Sequence, residues 1–206
     1  GVFMKKLLFV LASTLVSSFA PSLLLAQGDA AAGQAKSALC STCHGADGNS
    51  ELSINPKLAG QSANYIVKQL MDYKSGARAN ATMAAMVGNL SPQDMQDIAA
   101  WYSSNEVTLS GADAEILELG QRIYRGGNKE LGVMACAGCH SPTGSGNAPA
   151  GFPSLSGQHV DYTLGQLKNF RSGARANDNS SMMRSVVERL TDKELEALAS
   201  YVSGLN

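Results

Sequence analysis

Apolar residues recur along this 206-residue chain at the spacing of one helix face, and the same stripe occurs twice. Met95, Ile98, Ala99 and Tyr102 fall at i, i+3, i+4 and i+7, and Leu195, Leu198, Ala199 and Val202 repeat the spacing near the C-terminus. Each stripe follows a helix-start signature. Ser91-Pro92-Gln93-Asp94 offers a cap, a proline at the first helical position and an acid three residues after the cap. Thr191-Asp192-Lys193-Glu194 offers a second capping box. Ser62 and His159 precede two further helical stretches, which Gly76 and Gly173 end. Runs alternating with period two are absent, so the pattern predicts an all-α chain of short helices joined by long glycine-rich loops.

Lined up by these stripes, the chain is a duplication. The first half reads CSTCH, NPKLAGQ, NYIVKQLMDYKSGARAN, LSPQDMQDIAAWY; the second reads CAGCH, GFPSLSGQ, DYTLGQLKNFRSGARAN, LTDKELEALASYV. Two copies predict two similar domains, since a solenoid needs at least three units. The expected boundaries are 27–104 and 115–206, with the polar, patternless segment 105–114 as linker. Ahead of them, Met4-Lys5-Lys6 and the uncharged apolar run from Leu7 to Ala26 have the order of parts of a secretory signal peptide, 1–26, with cleavage expected after Ala26. The competing reading is a retained membrane anchor, because a run of about 20 residues can span. The remainder is an exported chain with 14 basic and 17 acidic residues, which argues against a nucleic-acid partner.

Exported cysteines usually form disulfides, but here the spacing points elsewhere. Cys40-x-x-Cys43-His44 and Cys136-x-x-Cys139-His140 each have the attachment signature of a c-type haem, two thiols for the vinyl groups and a histidine for the iron. Disulfides within each pair would leave both following histidines unexplained. A zinc site needs its cysteine pairs much closer together, and a redox pair of the thioredoxin kind needs a βαβ setting. Two haems also supply apolar bulk that domains of this size lack, so the protein without haem is expected to fold poorly.

The ligand opposite each histidine then has to be chosen. The remaining histidine, His159, corresponds to Ser62 and reads as a helix-capping surface residue. Methionine suits an electron-transfer haem because a His/Met pair raises the reduction potential, although methionine more often fills cores. Seven residues before Leu90 and Leu190 stand Met83 and Met183, a methionine position in this region that both halves share. Met86 reads as core and Met182 as packing or surface. With both irons six-coordinate no position is open to a small-molecule substrate, which favours a carrier over an enzyme.

The leader, the two CxxCH units, the shared methionine and the short linker resemble cytochrome c4, the periplasmic dihaem electron carriers of bacteria. The resemblance implies two tandem class I cytochrome c domains, each around one covalently bound haem. It also implies redox partners, namely a membrane quinol–cytochrome c reductase and a terminal oxidase, with peripheral association with the membrane. By the same resemblance Pro56 and Pro153 match the loop proline whose carbonyl orients the proximal imidazole, a role that competes with simple stiffening of the turn. Arg78 and Arg175, in the identical SGARAN segments, match either propionate partners or solvated arginines. The halves differ where Asp178 to Ser181 lengthen the second loop and where Tyr124 replaces Ser37. Competing functions are a haem subunit of a periplasmic dehydrogenase complex and a dihaem peroxidase-like enzyme.

Overall fold

A computed structural model describes residues 28–206; the expected signal segment 1–26 lies outside the described residues. Five helices form the first half: α1 (Ala30–Lys36), α2 (Ala38–His44), α3 (Ala63–Ser75), α4 (Ala81–Val87) and α5 (Pro92–Ser103). Their counterparts in the second half are α6 (Leu117–Gly126), α7 (Ala137–His140), α8 (Val160–Ser172), α9 (Met182–Val187) and α10 (Asp192–Ser203). Among the described residues the extended pairings are two isolated bridges, Asn128 with Val133 and Asn147 with Phe152. No described helix is long and apolar enough to cross a membrane.

Both capping boxes form. The hydroxyls of Ser91 and Thr191 accept the amides of Asp94 and Glu194, whose carboxylates accept the cap amides in return. The two stripes they start are buried and belong to separate cores, one per half. Gly76 and Gly173 close α3 and α8 in the left-handed conformation that glycine adopts without penalty.

In each half the first helix packs on the last, α1 on α5 and α6 on α10. The crossing is so close that a side chain has no room. A Cβ on Gly33 would stand 1.9 Å from the Asp97 carbonyl oxygen, and one on Gly120 would stand 2.2 Å from that of Ala197. At the corresponding positions inside these crossings lie Ser37 with Tyr102 and Tyr124 with Val202, all four buried. In the first half Tyr102 comes from the last helix, whereas in the second Tyr124 comes from the first helix and packs its ring 5.3 Å from that of Tyr201 on the last.

Segment 105–114 is irregular and is tied to both halves. Asn105 Nδ2 donates to Asp47 O and Thr108 N–H to Asn49 Oδ1. Further on, Ser110 N–H donates to Ser203 O and Asp113 N–H to Ser200 Oγ. The longer second loop forms a 3₁₀ turn, Asn179–Ser181, held by Asp178, which accepts from the amide and guanidinium of Arg184.

Gly33→Ala and Gly120→Ala should each destabilise their half by about 3 kcal/mol, as overpacking against immovable backbone does. Gly126→Ala, where a Cβ meets nothing within 4 Å, should be neutral or mildly stabilising. Thermal melting of the three variants checks the contrast.

Candidate functional site

Spacing i, i+3, i+4 puts Cys40, Cys43 and His44 on one face of α2, and Cys136, Cys139 and His140 repeat it on the single turn of α7. All four cysteines are free. Burial pushes the Cys136 thiol up to about 11 and raises that of Cys40 as well. A thiol kept protonated by its surroundings is the reverse of an activated redox thiol. Among the described residues no three His, Cys, Asp or Glu side chains are grouped to hold a bare metal ion, so a four-cysteine zinc site is absent from them.

The two histidines are buried, and each ring is fixed at Nδ1. His44 Nδ1 lies 2.9 Å from Pro56 O, and His140 Nδ1 lies 2.9 Å from Pro153 O. A carbonyl can only accept, so Nδ1 carries the proton and Nε2 keeps its lone pair. Burial lowers both imidazole pKa values, against the opposing pull of the proline carbonyls, and favours the neutral ring that can ligate iron. The helix exits differ. After His44 the chain turns at Gly45 (φ 81, ψ 153); after His140 the same turn falls on Ser141 (φ 68, ψ 159), a region almost reserved for glycine. The hydroxyl of buried Tyr124 donates to the Ser141 carbonyl at 2.7 Å and helps hold that turn.

Met83 and Met183 are half-buried and pack on the same core clusters as Cys40 and Cys136 respectively. Met86 departs from its expected core position and is 48% exposed. The inward stripe of α4 runs from Met83 to Val87, an i, i+4 pair repeated by Met183 and Val187, and Val87 and Val187 are each 1% exposed. Met86 lies off that stripe. Met182 is 37% exposed, at the surface.

Two expectations about polar residues need correcting. His159 holds the N-cap position of α8 but does not cap it with its side chain, which instead reaches the other half, where Nε2–H donates to Ser50 O at 2.9 Å. Nor are the arginines solvated, since Arg78 is 6% and Arg175 7% exposed. Arg78 donates to Gln69, Tyr162 and Gln166, and Arg175 to Gln166, Tyr65, Gln69 and Asn177. The guanidiniums also stack on Tyr73 and Phe170, at 4.7 and 4.4 Å. Sequence reasoning passed over Tyr65, Gln69, Tyr162 and Gln166, and also Gln61 and Gln158. Their signal was the duplication itself, since each is a polar position shared by both halves.

This chemistry fits a covalently attached haem in each half. Two free thiols, a neutral imidazole with a bare Nε2 and a nearby methionine on the cysteine's core would be a full donor set for such a group. The arginines add an argument from charge: among the described residues no carboxylate hydrogen-bonds either buried guanidinium, and a buried cation needs an anion. Haem propionates would provide it.

Comparison with known proteins agrees. The family model for cytochrome c matches residues 30–106 and again 117–206. A cytochrome c4 of Azotobacter vinelandii is 47% identical over 191 residues, 88% of this chain and 91% of that one. A cytochrome c4 of Pseudomonas aeruginosa is 47% identical over 198 residues, 96% and 98% of the two chains. The crystal structure of reduced recombinant cytochrome c4 from Pseudomonas stutzeri superposes with a TM-score of 0.85 at 46% identity, covering 87% of this chain and all of that one.

Replacing Cys40 and Cys43 together by alanine should leave the second site intact, so the haem content per chain, read as pyridine haemochrome, should fall to about half. Ser141→Gly should stabilise the second half by about 1 kcal/mol through relief of backbone strain, visible as a rise in its melting temperature.

Proposed function

Because this chain belongs to the cytochrome c4 family and carries a c-type haem in each half, we propose that it shuttles single electrons through the periplasm from a membrane quinol–cytochrome c reductase to a terminal oxidase. In this reading Cys40 and Cys43 attach one haem, and Cys136 and Cys139 the other. His44 and His140 are the proximal ligands, and Met83 and Met183 the distal ones. Pro56 and Pro153 orient the imidazoles. The observation that carries the reading is that each half buries one imidazole locked at Nδ1 and packs one shared methionine on the same apolar core as the first cysteine of its CxxCH turn.

The haem supplies reversible one-electron chemistry at iron when bound. The chain's own work is to hold both axial donors in place, keep water from the core and supply a His/Met field that favours a high potential. With His44 and Met83, and His140 and Met183, as the protein donors to the irons, no position would be left open to a substrate, which supports the role of a carrier. The basic start and apolar run ahead of residue 27 support export to the periplasm.

Optical spectroscopy of the oxidised protein tests the ligands. Sulfur on ferric haem gives a weak far-red charge-transfer band, which Met83→Ala and Met183→Ala should each cut to about half by removing one of two equal donors. Met86→Ala should leave it unchanged; loss of the band in Met86→Ala would overturn the assignment. Oxidation of the reduced protein by purified terminal oxidase, and its reduction by quinol with the reductase, check the direction of transfer.

A further inference from the structure

A glutamine from each half grips the loop that fixes the other half's proximal histidine. Gln158, just ahead of α8 and 9% exposed, accepts Lys57 N–H through Oε1 and donates through Nε2 to Lys57 O, each at 2.9 Å. Gln61, just ahead of α3 and 8% exposed, does the same to Ser154, again at 2.9 Å for both bonds. Each Oε1 also accepts the amide of the next residue, Ser62 at 2.9 Å or His159 at 3.0 Å. Two backbone donors converging on one atom settle which side-chain atom is the oxygen.

The gripped amide is not an arbitrary one. Lys57 N–H and Pro56 C=O belong to a single peptide unit, and that carbonyl accepts His44 Nδ1–H at 2.9 Å. Ser154 N–H and Pro153 C=O form the corresponding unit for His140. A continuous hydrogen-bonded path therefore runs from Gln158 Oε1 through the Pro56–Lys57 peptide to the His44 ring, and from Gln61 through Pro153–Ser154 to His140. When an amide N–H donates, its carbonyl becomes a better acceptor, because chained hydrogen bonds polarise one another. A stronger bond at Nδ1 makes the imidazole a more basic ligand, and a more basic ligand favours ferric over ferrous iron.

We propose that Gln158 and Gln61 are positioning residues that act across the interface, each lowering the reduction potential of the haem held in the opposite half. Docking of the halves then adjusts both potentials, each half's own His/Met field being trimmed by its partner. The inference rests on the reading of His44 and His140 as proximal ligands. The first loop has further ties to the second half, from His159 to Ser50 O, from Ser53 to Asp161 and from the Tyr162 amide to Ser53 O. These keep the halves docked when Gln158 is replaced.

The test uses the full holo-protein in a redox titration, with the two haems told apart by hyperfine-shifted ligand resonances assigned through Met83→Ala and Met183→Ala. Gln158→Leu should raise the potential of the His44 haem, shifting its equilibrium about threefold toward the reduced form, or about 28 mV for one electron. It should leave the His140 haem in place and speed exchange of the His44 Nδ1 proton. Gln158→Glu, which keeps a stronger acceptor, should lower the same potential, and Gln61→Leu should raise that of the other haem. Movement of both haems in the same direction by Leu and Glu alike, a shift confined to the substituted half, or no shift would overturn the proposal. Should Gln158→Leu fail to fold, Gln158→Glu decides, and an unchanged or raised potential counts against it. Absence of a His44 ring signal near iron in the unsubstituted protein would instead break the ligand reading itself.

Discussion

The bond from each histidine Nδ1–H to a proline carbonyl twelve or thirteen residues downstream is the constraint the rest of each half serves. A free imidazole rotates about two torsions and offers either nitrogen. Pinned at Nδ1 and buried, it offers one nitrogen in one direction. The loop must therefore return to the end of the CxxCH turn, and the left-handed exits at Gly45 and Ser141 let it do so. The helices around it then have two tasks: the glycine-mediated crossing of first and last helices makes a rigid floor, and α4 or α9 brings a methionine to the same core.

The contact between the halves is built from polar groups rather than from a third apolar core. Buried arginines alternate with buried or half-buried glutamines and half-buried tyrosines across it under an approximate two-fold relation, so Gln69 and Gln166 each accept from both guanidiniums. An interface of this kind is specific, because every displaced member leaves a buried donor or acceptor without a partner. It also concentrates positive charge between the two haem domains, which haem propionates would balance.

Most of the fold was legible in the sequence because its signals are local. Capping boxes, helix-ending glycines and the period of the stripes depend on neighbours within a turn or two, and the duplication let each half check the other. Cys40, Cys43, His44 and their counterparts were legible for the same reason. Met86 was misjudged because a methionine at i+3 from Met83 shares its approximate face, and only packing shows that Val87 takes the inward place. His159 and the arginines were misjudged because their partners lie about a hundred residues away on the other half. Residue type alone gives a polar side chain no such address.

The unequal placing of the large buried rings has a consequence for the history of the duplication. In one half Tyr102 comes from the last helix; in the other Tyr124 comes from the first helix and packs its ring 5.3 Å from that of Tyr201 on the last. Each half has thus filled its core in its own way. A chimera taking its first helix from one half and its last from the other would bring together side chains not sized for each other. Two copies that still share a fold, a motif and a six-residue identity are no longer interchangeable in their interiors.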